Sequence, residues 1–221
     1  MEMIPDVSFV NNAEERVPLV LVLDCSGSMS GEPIRALQQG LEALDRDLKS
    51  DPKAAMAVRI KVIMMGGDDE VTALHWQDVI DFVPPALHAN GRTPTGAAML
   101  RALQEVEAEK ENMRQNGIAY KRPLVYLMSD GVPTDDWASA AERCAAAQKA
   151  QKASIFAIAI GDDADTAILS RIADRQALLL KGLNFKELFL WLSASVKAVS
   201  ESVQGAQVQL PSTHTWATVT A

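Results

Sequence analysis

Short, continuous apolar runs alternate along this chain with longer segments in which apolar residues recur every three or four positions. That alternation limits the possible folds more than any other feature. Leu19 to Asp24 reads as one buried strand and Leu124 to Asp130 as another, and both end in an acid. Met56 to Met65 and Ser154 to Ile160 supply two more, with a brief strand at Ala177 to Leu180. Between them, Ile34, Leu37, Leu41, Leu44 and Leu48 line one face of a helix that Pro33 begins and Asp51-Pro52 stops. A long helix is expected from Thr95, as its cap, towards Asn116-Gly117. An Ala-rich helix is expected from a Thr134 cap, and a short one over Ala164 to Ala173. Asn184 and Glu187 open the last, with Phe185, Leu188, Leu192, Val196, Val199 and Val203 on its apolar face. Glu70 to Trp76, beyond the Gly66-Gly67-Asp68-Asp69 turn, returns as an antiparallel neighbour. Strands apolar on both faces and interleaved with amphipathic helices predict an α/β fold. Its central sheet is mostly parallel, with one antiparallel edge strand and helices on both faces.

The 221 residues suit one sizeable domain, and an apolar share of 48% is enough to fill its core. The periodic region spans 17–204, leaving an N-terminal extension over 1–16 and a C-terminal one over 205–221. Val7 to Val10 and Gln207 to Leu210 are candidate short edge strands within them. A net charge of −8 argues against nucleic-acid binding, which requires a basic face. No apolar run approaches the ~20 residues needed to span a bilayer, so no membrane association is expected. The first twenty residues lack the pattern of a signal peptide, and Cys25 and Cys144 do not make a disulfide framework. The expected location is the cytoplasm.

Ligands of open parallel sheets bind beyond the carboxyl ends of the strands. Three loops leave this sheet at that edge: Asp24-Cys25-Ser26-Gly27-Ser28-Met29, Gly91-Arg92-Thr93-Pro94-Thr95-Gly96 and Ser129-Asp130-Gly131. They offer two carboxylates and several hydroxyls. Oxygen donors alone suit a hard cation, Mg2+ first, with Mn2+ or Ca2+ as substitutes. Zinc ordinarily recruits His or Cys, and His75, His88 and His214 are scattered. Two carboxylates nearly neutralise a dication yet fall short of about six oxygens, so water or an incoming carboxylate has to complete the shell.

Asp-x-Ser-x-Ser after the first strand, Thr in Gly-x-Thr-x-Thr-Gly and Asp in Ser-Asp-Gly resemble the metal-ion-dependent adhesion site of von Willebrand factor A domains. The resemblance covers about 17–204 and implies a Rossmann-like, doubly wound sheet. It also implies metal ligation by Ser26 and Ser28 directly and by Thr93 directly or through water. Asp24 and Asp130 would hold water ligands or bind the metal themselves. A protein partner would supply an Asp or Glu to the remaining position. The stretches Ser28-Met29-Ser30-Gly31-Glu32-Pro33-Ile34 and Ser129 to Asp135, and the helix from Trp191 to Val203, resemble the TerY-like branch of bacterial tellurium-resistance proteins. That resemblance implies a stress-response role beside protein kinases or phosphatases. Two departures stand out. Met65-Gly66-Gly67 replaces the aromatic-Asp ending expected of the second strand, and Arg92 adds a cation beside the site, able either to attract a partner acid or to weaken metal binding.

Other readings compete. A Mg2+-dependent phosphohydrolase with Asp24 as nucleophile also starts from an acid at the end of the first strand. It needs a second Asp two residues later, where this chain has Ser26. No Gly-x4-Gly-Lys-Ser/Thr motif is present, which removes P-loop chemistry. A metal-free scaffold that keeps the motif as loop structure is a third reading. Cys25 has no spaced histidine to activate it and reads as a buried structural thiol, as does Cys144. Trp137 is either a packed first-turn residue or part of a rim around the metal.

Overall fold

The computed structural model describes residues 12, 14–67, 70–130, 132–202 and 208–219. Strand β1 (Val17–Cys25) runs through the centre of the sheet, and all nine of its residues are buried. It pairs in parallel with β2 (Val58–Gly66) on one side and with β5 (Leu124–Ser129) on the other. Strands β6 (Ser154–Ala159) and β7 (Leu178–Leu180) extend the parallel order beyond β5. At the β2 edge, β3 (Glu70–Ala73) and the two-residue β4 (Gln77–Asp78) pair antiparallel with β2. The expected antiparallel edge is therefore present, over a shorter stretch than 70–76.

The other edge carries a strand the sequence did not announce. β8 (Ala217–Val219) lies antiparallel to β7, giving the order β3-β2-β1-β5-β6-β7-β8. Val208, Gln209 and Leu210 form no strand, and Val7 to Val10 and Gln207 lie outside the described residues. The C-terminal stretch 208–219 packs onto the same body: Trp216 is fully buried, and the Trp191 indole Nε1 donates to the Pro211 carbonyl at 2.8 Å.

Side-chain alternation along β1 divides the core in two. Val17, Leu19, Leu21, Leu23 and Cys25 join one cluster. It includes residues of α1 (Glu32–Lys49), α2 (Pro52–Ala57) and α6 (Phe185–Glu201). Val20 and Val22 join the other, with α3 (Thr95–Gln115), α4 (Trp137–Lys149) and α5 (Thr166–Ala173). The expected apolar face of α1, Ile34 to Leu48, is buried in the first cluster. Of the expected α6 face, Phe185, Leu188, Leu192 and Val196 are buried and Val199 is partly buried, while Val203 lies outside the described residues. Asp51 stops α1 and also starts α2, accepting hydrogen bonds from the N–H groups of Lys53 and Ala54. Met56 and Ala57 belong to α2 for that reason, and β2 starts at Val58.

Two expected caps are made differently. Thr95 is the first residue of α3 and fully buried, and its side chain does not cap. The cap comes from another loop: the Asp135 carboxylate accepts from Gly96 N–H at 2.9 Å and Ala97 N–H at 2.7 Å. Thr134 likewise does not cap α4, which starts at Trp137 without a side-chain cap. It binds Thr93 instead. Among the described residues no helix is long and apolar enough to cross a membrane.

Candidate metal centre

The strand order changes direction between β1 and β5, because β2 follows β1 on one side and β5 on the other. Such a switch point opens a crevice at the carboxyl ends of the two strands. Asp24, next to last in β1, and Asp130, just past β5, meet there.

Four of the five residues singled out from the sequence form one hydrogen-bonded chain. Asp24 is fully buried. Its Oδ1 accepts from Ser26 N–H at 2.9 Å, and its Oδ2 accepts from the Ser129 hydroxyl at 2.5 Å. The Ser26 and Ser28 hydroxyls are 3.0 Å apart, and Ser28 Oγ donates to Asp130 Oδ1 at 2.8 Å. Ser26 is buried and Ser28 is exposed, so the chain leads from the interior to the surface. A 3-10 turn over Gly27–Met29 holds the two hydroxyls together, with the buried Met29 anchoring it.

Thr93 is buried and held by its backbone. Its N–H donates to Thr134 Oγ1 at 3.2 Å, and its carbonyl accepts from Thr134 N–H at 3.0 Å. The loop before it is tied down in turn: Gly27 N–H donates to the Gly91 carbonyl at 3.0 Å, and Asn90 N–H to the Cys25 carbonyl at 2.9 Å. Arg92 is exposed, and its N–H donates to the Gly67 carbonyl at 2.7 Å.

The electrostatics are unbalanced. Burial pushes the Asp24 carboxyl above its ordinary value, and the bonds from Ser129 and Ser26 pull it only part of the way back. Burial also raises Asp130; the Ser28 hydroxyl opposes the rise, and the nearby Asp24 charge adds to it. Among the described residues no ion pair joins either carboxylate to a lysine or arginine. Two close carboxylates, one buried and one half-buried, linked by hydroxyls and without such an ion pair, fit a hard dication: the ion supplies the missing charge and takes oxygen donors. Among the described residues no group of three or more His, Cys, Asp or Glu offers a competing centre.

The geometry is a poor one for nucleophilic use of Asp24. Both of its oxygens are engaged and the group is fully enclosed. Cys25 is turned into the β1 core, and burial pushes its thiol up to about 12. Trp137 is half-buried against the α3–α5 side as the first residue of α4, with the Arg171 guanidinium 5.1 Å from its ring centre.

Sequence reasoning passed over Ser129, Thr134 and Asp135 as contributors to the site. The β1–β5 register carries a signal for the first. Leu23 stands opposite Met128, so one step further sets Asp24 beside Ser129.

The comparisons with known proteins agree with this architecture. The human inter-alpha-trypsin inhibitor heavy chain H6 is 24% identical over 197 residues, which take in 81% of this chain and only 15% of that protein. The manganese-loaded TRAP protein of Plasmodium vivax superposes with a TM-score of 0.55 at 20% identity, covering 81% of this chain and 73% of that one. Proximal thread matrix protein 1 of the mussel byssus, with a zinc-occupied MIDAS motif, superposes with a TM-score of 0.56 at 15% identity, covering 84% and 49%. The model of the von Willebrand factor type A domain matches residues 19–188, most of the chain and all three loops. With that match and this fold, the chain belongs to the von Willebrand factor type A domain family.

Proposed function

We propose that this chain is a metal-dependent protein-binding module without catalytic activity of its own. Asp24, Ser26, Ser28, Thr93 and Asp130 hold a divalent ion, and an Asp or Glu of a protein partner completes its shell. The observation that carries the reading is the pair of carboxylates, the buried Asp24 and the half-buried Asp130, joined through Ser26 and Ser28 with no ion pair to a basic side chain among the described residues. When bound, the ion would supply positive charge and a place for an incoming carboxylate. The protein's part is to hold the oxygens in place, with Ser129 orienting Asp24 and Thr134 fixing the backbone of Thr93.

Mg2+ is the ion proposed, on donor chemistry, with Mn2+ or Ca2+ as substitutes. The manganese and zinc of the two similar structures support a divalent site of this kind. The TerY-like stretches support a role in a bacterial stress or tellurite-resistance pathway. They also support a kinase or phosphatase as partner, and a cytoplasmic setting.

Calorimetric titration with Mg2+ and Mn2+ tests the site, and capture of partners from the cell of origin with Mg2+ or with EDTA tests the grip. The wild type should bind one ion, and Asp24→Ala should bind none while keeping its circular dichroism. A captured partner should be released by EDTA and absent from the Asp24→Ala sample. Partner capture indifferent to both EDTA and the substitution would overturn the reading.

A further inference from the structure

The Met65-Gly66-Gly67 ending of β2 has a geometric counterpart in the loop that carries Thr93. Gly67 and Gly91 are bridged in parallel, backbone to backbone. Gly67 N–H donates to the Asn90 carbonyl at 2.8 Å, and its own carbonyl accepts from Arg92 N–H at 2.7 Å. Both residues have positive φ, 66° at Gly67 and 68° at Gly91, where a side chain strains the backbone. The approach is closer than any side chain allows: a Cβ on Gly91 would sit 1.5 Å from the Gly67 carbonyl oxygen. A Cβ on Gly66 would stand 2.5 Å from the Cys25 carbonyl oxygen and 3.1 Å from that of Asn90. On the far side of the same loop, Thr134 takes both the N–H and the carbonyl of Thr93.

From this close packing we propose that Gly66, Gly67, Gly91 and Thr134 are positioning residues for the metal centre. They clamp the 90–93 backbone between the end of β2 and the 132–136 loop, and so set where Thr93 stands relative to Asp24, Ser26 and Asp130. None of the four is among the proposed ligands. The departure at Met65-Gly66-Gly67 is then a fitting of β2 to the Thr93 loop. A larger residue at 66 or 91 would hold Cys25 and Asn90, or Gly67 and Gly91, too far apart. The inference rests on the metal reading above and adds what fixes one of the proposed ligands.

The test is Mn2+ binding to the full chain, by calorimetry and by water-proton relaxation of the bound ion. Gly91→Ala should weaken Mn2+ at least about tenfold, the loss typical of groups that orient a ligand. It should also add an exchangeable water where Thr93 is displaced. Thr134→Val, at an exposed position, removes only the acceptor for Thr93 N–H and should weaken Mn2+ about threefold. It decides the matter if Gly91→Ala does not fold. Gly117→Ala is the control: Gly117 has a similar φ of 71° with open space around it, so the variant should lose stability and keep wild-type affinity. Wild-type affinity in both site variants, or an equal loss in the control, would overturn the clamp alone. A wild type that binds no Mn2+ would overturn the metal reading and this proposal with it.

Discussion

Ser28 Oγ donates to Asp130 Oδ1 at 2.8 Å, closing across 102 positions of sequence a chain of polar atoms that begins at the buried Asp24. The bond is local evidence of a charge problem: a hydroxyl can soften two neighbouring carboxylates but cannot neutralise them.

Both carboxyls are raised in the folded protein. The folded state therefore favours their protonated forms, and it carries no penalty below the unfolded carboxylate range near ~4. The penalty grows as pH rises through the raised folded values. In EDTA at pH 7, Asp24→Asn should accordingly be more stable than the wild type, with the gap closing as pH is lowered towards 4. Saturating Mg2+ should reverse the order, because the ion binds the ionised pair. Urea denaturation at several pH values, with and without Mg2+, measures both effects.

Asp135 caps α3 from a loop about 40 residues further along, through Gly96 and Ala97. Asp135→Ala should cost about 1 kcal/mol, the usual worth of a side-chain cap at a helix start. The mid-point of chemical unfolding in EDTA reads this out independently of any metal.

Gly40 lies on the buried face of α1, against α6. In an exposed helix, alanine for glycine gains about 1 kcal/mol. Here the added Cβ would meet the Phe189 ring at 2.5 Å and Phe185 Cβ at 2.9 Å, and both phenylalanines are fully buried. Overpacking of this kind costs about 1–3 kcal/mol and decides the sign. Gly40→Ala should lower stability, measured as the shift in urea mid-point.

Burial pushes the thiols of both Cys25 and Cys144 up to about 12. At pH 8.5 a thiol-specific reagent should label neither in the native protein and both in guanidinium. Rapid native labelling of Cys25 would contradict its place in the β1 core.

Much of this was legible in the sequence, because it is written at short range. The continuous apolar run ending in Asp24 is a strand buried on both faces, and Ser26 and Ser28 lie at the 3-10 turn directly after it. Asp130 reaches them because β5 pairs with β1, which the strand pattern implies. What escaped is the work done between loops. Thr134 looks like the cap, and Asp135 like a first-turn acid, of the helix that follows them. They serve Thr93 and α3 instead, since the loop folds back across the 93–97 segment. β8 escaped for a related reason: three residues carry no period, and only pairing with β7 makes them a strand. The Gly67–Gly91 contact is likewise a property of two distant segments and of neither alone.

The position of β8 has a practical consequence for anyone shortening this chain. The final helix ends at Glu201, beyond the family match, which invites a cut for a minimal domain just after it. A cut there takes away a wall and not a tail. Trp216 would leave the place where its ring lies 5.0 Å from that of Trp191. Trp191 would lose the carbonyl that receives its indole N–H, and β7 would become a bare, unpaired rim. Such a fragment would present aromatic surface and strand edge together, the combination that makes one molecule adhere to the next.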